Sequence, residues 1–242
     1  MTATSFIGDG SQLTNLPFSY NSNEAGGIEI ADYTTASGSR AFAVGNDNVA
    51  SGIGSTAMGI GTEAIGNVST AMGGNTKASG TVSTAMGDIT IASGTVSTAM
   101  GGLTTASGNY STSMGANTAA SGHYSTAMGH QTQAIGDAST SMGTSTIASG
   151  YSSTAMGFDT NASGVSSTAM GNNTLASDYA SVAIGQYNNS LSSVTTNGSA
   201  TAYDTDNTAL VIGNGVDASN KSDAFKVMFN GCLLYTSDAA DE

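Results

Sequence analysis

"STAMGDITIASGTV" (residues 83–96) holds two Gly, one Met and almost no group capable of chemistry, and the chain repeats it with variations from about residue 27 to 190. Glycine recurs every seven residues from Gly38 to Gly171, Asp178 takes the next place, and Gly185 resumes the series. A Gly-bearing heptad is the opposite of a coiled coil, because each Gly costs a helix about 1 kcal/mol relative to Ala. Methionine doubles the period, since Met58, Met72, Met86 and their successors to Met170 fall fourteen residues apart. Thr62, Thr76, Thr90 and their successors to Thr174 hold a second position at the same spacing.

Each unit divides into five, two, five and two residues: Ser55 to Gly59, the pair Ile60 and Gly61, Thr62 to Gly66, and the pair Asn67 and Val68. Gly, Asn, Asp and Ser crowd the pairs, where tight turns need them. Two short strands in a fourteen-residue coil predict an all-β chain, a parallel β-roll (β-solenoid) in which each coil stacks on the last.

Side chains alternate across a strand. Ser55, Ala57 and Gly59 are therefore assigned to one face of the first strand, and Thr62, Ala64 and Gly66 to one face of the second. Together they line a thin interior. The opposite face of the second strand carries Glu63, Lys77, Ile91 and Gln133 indifferently, as a water-facing position does.

The opposite face of the first strand carries Thr and Met. The outward pairs are Thr56 and Met58, Thr70 and Met72, Thr84 and Met86, Thr98 and Met100, Thr112 and Met114. Thr126 and Met128, Thr140 and Met142, Thr154 and Met156, and Thr168 and Met170 follow, and Val182 and Ile184 close the series. A stripe of nine methionines at strand spacing is about 40 Å long, larger than the apolar patch a monomer usually exposes. Self-association along this stripe is the expectation. The alternative at this stage is a monomeric roll with the methionines inside and the Ala, Ser and Gly face outside.

Composition sets bounds. Gly is 33 of 242 residues, Trp is absent, and charged residues make up 9% of the chain. The net charge of −13, with Arg40, Lys77, Lys221 and Lys226 as the cations, disfavours nucleic acid and anionic membrane surfaces. No segment is apolar enough to span a bilayer, so no membrane insertion is expected. The single Cys232 excludes an intrachain disulfide framework.

"SVAIG" (181–185) and "STAMGDITIASG" (83–94) resemble the YadA-like head repeats of trimeric autotransporter adhesins, over about 165 residues and some eleven coils. The resemblance implies a left-handed parallel β-roll, with three chains around an axis and the outward pair of the first strand packed at the trimer centre. Thr and Met stand here where that family commonly has Val and Ile, which remain only at Val182 and Ile184. "SFIGDGSQLTNLP" (5–17) and "ALVIGNGVDASNKSDAFKVMFNG" (209–231) resemble segments of phage and viral tail fibres. "CLLYTSDAADE" (232–242) resembles the in-frame translation of a sequencing adapter, so the natural chain is expected to continue past Gly231. The organisation read from these patterns is a linker segment over 1–26, β-roll repeats over 27–190, a fibre segment with a short β element over 191–231, and a non-native tail.

No catalytic constellation emerges, because a nucleophile needs a base held against it. His123 and His130 fall in successive turn pairs on opposite edges of the roll, a poor metal pair. Asp47, Asp88, Asp137 and Asp159 occupy scattered offsets, unlike a calcium roll. The chain is thus read as non-enzymatic, with no cofactor or metal. Its expected partners are two further copies of itself and a host surface protein or glycan. The expected setting is extracellular, at a bacterial surface or outer membrane or in a virion tail fibre. A spacer without ligand is the alternative, and an ice-binding Thr ladder a remoter one. Candidate ligand contacts are the turn residues Tyr110, His123, Tyr124, Tyr151 and Phe158, since Tyr and His offer flat surface and hydrogen bonding.

Overall fold

Fourteen residues make one coil. The computed structural model describes residues 19–20, 28–30, 33–189 and 198–234, and among them there is no helix. Each coil lays down a five-residue strand and a two-residue strand, as in Thr56–Ile60 and Glu63–Ala64. Equivalent residues pair in parallel between coils: Met58 with Met72, Met72 with Met86, Ala64 with Ala78. The long strands build a 16-stranded sheet and the short ones an 11-stranded sheet behind it. The chain is the all-β solenoid that its period predicts, with the second strand shorter than the five residues assigned to it.

The interior follows the predicted faces at most positions. Ala57, Ala71 and Ala85 of the long strands and Ala64, Ala78 and Ala92 of the short ones are fully buried, together with the Ser55 and Thr62 series. Met58 to Met156 are only half-buried and Met170 is 37% exposed, which rules out a roll with methionines inside. Such a core buries little apolar area per coil. Cohesion therefore rests on the hydrogen-bonded ladders between coils, the nearest-neighbour logic of solenoids.

The seven-residue glycine series is two series with different physical reasons. Gly66 and its equivalents are buried, with Gly136 half-buried, and have ordinary backbone; a Cβ there would run into the carbonyl of the equivalent residue one coil on. Gly59 and its equivalents from Gly45 to Gly171 have φ of +117 to +130°, and Gly185 has +97°, a region closed to L side chains. This twist breaks the strand alternation, so the Gly59 series does not line the interior as the pattern implied. Asp178 interrupts the first series because the short-strand sheet ends at Leu175–Ala176, and no further coil of that sheet stacks on it.

The second residue of every turn pair is left-handed, including Val68, Val82, Val96, Ile89 and Leu103 at φ of 53 to 57°. Val96 N–H donates to Thr81 O of the preceding coil at 2.8 Å, and Ser97 N–H closes its turn on Gly94 O. A left-handed third residue in a turn normally calls for Gly or Asn. The repeat imposes the conformation whatever residue stands there.

An Asn stands in the Thr position near each end of the short-strand sheet, Asn48 before its second strand and Asn188 beyond its last. Asn48 receives hydrogen bonds from Thr62 N–H and Oγ1, and Asn188 donates to Leu175 O while accepting from Leu175 N–H. The Asn188 amide thus imitates the missing next strand and closes the sheet edge.

The long-strand sheet continues. Thr208–Asn214 adds in parallel to Val182–Gln186, with Gly213 opposite Gly185, and Asp223–Met228 folds back antiparallel. Leu233–Leu234 pairs with Lys226 and Val227. At the other end, Ile28–Ile30 pairs in parallel with Phe42–Asn46 and antiparallel with Ser19–Tyr20. The motif at 5–17 and residues 235–242 lie outside the described residues.

Asp178, Asp223 and Lys226 meet where the hairpin sits on the last coil. Asp178 accepts from Thr208 N–H and Asp223 from Asn189 N–H, both at 2.8 Å. Burial raises the Asp223 carboxyl above its ordinary range, opposed by the Asn189 hydrogen bond and by Lys226. Burial also lowers the Lys226 ammonium, opposed by the attraction of Asp223 and Asp178.

Candidate interaction surfaces

The long strand presents its first and third residues outward, so the parallel register sets Thr upon Thr and Met upon Met. Thr56, Met58 and all their equivalents through Thr168 and Met170 stand on one face, and Val182 and Ile184 continue the two rows. Leu210 and Ile212 extend them by one more rung, paired with Val182 and Ile184. Sequence reasoning missed that rung, although "LVIG" (210–213) has the same spacing as "VAIG" (182–185). Phe42 and Val44 extend the rows at the other end.

Each methionine lies against the one above and below and keeps part of its surface bare. Over eight coil spacings the stripe runs about 38 Å. Covering the remaining surface of one half-buried Met is worth about 1 kcal/mol.

The turns form the two long edges of this face. Tyr110 and Tyr124, one coil apart, stack with centroids 5.1 Å apart and rings 3° from parallel. His123 precedes Tyr124 in the same turn, and its backbone N–H donates to Asp137 Oδ1 at 2.8 Å. Tyr151 is exposed on that edge two coils beyond His123, whereas Phe158 is exposed on the opposite edge. The structure therefore gathers Tyr110, His123 and Tyr124, with Tyr151 on their edge, and separates Phe158 from them.

A shallow open groove of about 430 Å³ lies on the edge opposite the tyrosines, and its lining includes Asn117, Gln131, Gln133, Ser145 and Asp159. Its amides come from turn and outer-strand positions that vary from coil to coil. Variation was read as exposure to water, and nothing in the period marked the groove. On the outer face of the short strands, Lys77 donates to Glu63 at 2.6 Å, an exposed pair that contributes little.

Among the described residues, no group of three or more His, Cys, Asp or Glu is placed to hold a metal. They include no helix long and apolar enough to cross a membrane.

The model of the YadA head domain repeat matches residues 36–63, 64–88, 92–118, 120–146, 134–160, 148–174 and 162–188, more than half of the chain. The chain belongs to the YadA head family. YadA heads are surface-exposed adhesin modules rather than enzymes, and they form homotrimers. The match covers the coils that carry the Thr and Met rows and both turn edges. No curated protein is significantly similar to the chain.

Proposed function

We propose that this YadA head assembles as a homotrimer along its Thr and Met rows and acts as the adhesive head of a bacterial surface fibre or tail fibre, holding a host protein or glycan on its outer strands and turns. The observation that carries this reading is the uninterrupted, half-bare methionine stripe. Geometry supports the number three. A five-residue strand is about 17 Å wide, so three such faces form a prism whose walls stand about 5 Å from the axis. That is half the about 10 Å spacing of packed sheets, and facing side chains fill it. Four walls would stand about 8 Å out and leave a channel. Two would cover the stripe and leave both edges open.

Light scattering of the purified chain is expected to give three times the chain mass, and a monomer at micromolar concentration overturns the assembly. Placing Asp at Met86, Met100 and Met114 is expected to dissociate the trimer while β-structure persists. An array of glycans and matrix proteins tests adhesion, with uniform absence of binding favouring a spacer.

A further inference from the structure

The two edges of the methionine face carry apolar residues that their backbone disfavours. Val82, Val96 and Tyr110 occupy left-handed turn positions on the edge that leads into the long strand, and Ile89 and Leu103 do so on the edge that leads out of it. For a β-branched residue this conformation is an outlier that costs roughly 1–2 kcal/mol, which Gly or Asn would avoid. All five are nonetheless exposed, with Leu103 at 57% and Ile89 at 46%. Strained apolar residues bare to water point to a surface that is covered in use.

Their heights say what covers them. The chain climbs one coil, about 4.8 Å, in fourteen residues, so Ile89 stands midway in height between Val82 and Val96. Leu103 likewise stands midway between Val96 and Tyr110. The apolar run on the Tyr edge extends from Val68 through Tyr124 before Ala138 and Ser152, whereas the other edge is polar on both sides of its pair, with Asn75 below and Asn117, Gln131 and Ser145 above. In a closed three-fold ring every protomer is at the same height, and each corner joins the leading edge of one to the trailing edge of the next.

We propose that the trimer, whose existence rests on the reading above, is closed at each corner by a second apolar seam. In it, Ile89 of one protomer inserts between Val82 and Val96 of its neighbour, and Leu103 inserts between Val96 and Tyr110. The partner is a second copy of this chain. The seam restricts axial register, which a uniform methionine stripe leaves free to slip by whole coils, because slips of two coils or more carry Ile89 or Leu103 beyond the apolar run from Val68 to Tyr124. It also assigns Tyr110 to assembly, together with Leu103, which lines one end of the groove around Asn117 and Gln133.

The test uses the full chain with Cys232→Ser, Val96→Cys and Leu103→Cys. Within one protomer these positions lie on opposite edges, roughly 20 Å apart, far beyond disulfide reach. Mild oxidation is expected to give a covalent trimer on a denaturing gel, and neither single-cysteine protein should do so. A trimeric native mass without covalent trimer overturns the seam and leaves the methionine assembly standing, whereas a monomeric native mass overturns both. Charge exchange supplies a check that does not depend on disulfide geometry. Val96→Asp alone and Leu103→Lys alone are each expected to weaken trimerisation about tenfold or more, and the two together to restore most of it. Failure of the pair to restore association overturns the contact. Asp tolerates the left-handed backbone, so the first variant folds at least as readily as the parent coil.

Discussion

The hydroxyls of Ser113 and Thr118 meet at 2.7 Å across the interior of their coil, and Ser141 and Thr146 repeat the contact two coils on. Most coils have Ala in the place of that Ser. The corresponding Thr hydroxyls, Thr90 and Thr104 among them, are buried with no hydrogen-bond partner. A buried hydroxyl without a partner costs about 1–3 kcal/mol. Ala85→Ser and Ala99→Ser are therefore expected to stabilise the roll by about 1 kcal/mol each, and Ser113→Ala to destabilise it by a similar amount. Thermal unfolding of the three variants checks this, and a fall in midpoint for both Ala→Ser changes would show that the interior lacks room for the oxygen.

Glycine positions separate into those that must be Gly and those that need not be. A Cβ on Gly94 would collide with the carbonyl of Gly108, whereas a Cβ on Gly102 meets nothing within 4 Å and its φ is not left-handed. Gly94→Ala is expected to disrupt stacking between its coil and the next, with loss of more than about 3 kcal/mol or of folding altogether. Gly102→Ala is expected to be neutral, or stabilising by up to about 1 kcal/mol through the unfolded chain. Circular dichroism melts of the two proteins side by side distinguish these outcomes.

The period of fourteen, the two sheets and the outward Thr and Met rows were legible because side-chain alternation and a strict repeat report geometry directly. The Gly59 series was misplaced for a physical reason. Its φ near +125° interrupts the alternation on which face assignment relies, and a spacing of seven makes it look identical to the Gly66 series. The left-handed Val82 and Ile89 were equally hidden, since local propensity argues against that conformation and only the stacked coils enforce it. Leu210 and Ile212 escaped because the intervening residues do not keep the fourteen-residue spacing. The stacking of Tyr110 on Tyr124 was foreshadowed by their one-coil separation, whereas the groove around Asn117 and Gln133 depends on side-chain sizes at several variable positions.

Turn strain can be read outside the proposed seam. Ala138 is exposed with φ of 57°, and Gly54 holds the equivalent of the Val68 position with nothing near its missing side chain. Ala138→Gly is expected to stabilise the monomer fold by up to about 1 kcal/mol, and Gly54→Val to cost about 1–2 kcal/mol. Denaturant unfolding measures both, and equal midpoints for all three proteins would mean that the turn backbone relaxes.

The buried charges at the C-terminal hairpin give stability a defined dependence on pH. Asp223 has its carboxyl raised above 3.8 by burial, so the folded chain binds its proton more tightly than the unfolded chain. Stability from this group is fully present below 3.8 and is lost as pH rises through the raised value. Lys226 has its ammonium lowered below 10.5 by burial, so between its folded value and 10.5 the unfolded chain holds more protons. Stability therefore climbs as pH rises through that window. Asp217 acts oppositely to Asp223, since hydrogen bonds from Asn220 and Ser219 hold its carboxyl below 3.8, and its contribution is lost only as pH falls through that lowered value. The hairpin is thus expected to be least stable in the middle of the range, where Asp223 and Lys226 are both charged. Amide exchange over Thr208–Asn214 between pH 4 and 10 reads this directly. Asp223→Asn combined with Lys226→Met removes both charges and keeps an acceptor for Asn189 N–H, and it is expected to flatten the profile. Lys226→Met alone leaves the half-buried Asp178 and the buried Asp223 as neighbouring like charges and is expected to loosen the hairpin at every pH above the Asp223 transition. A hairpin that holds equally well in that single variant would show that water, rather than Lys226, satisfies the two carboxylates.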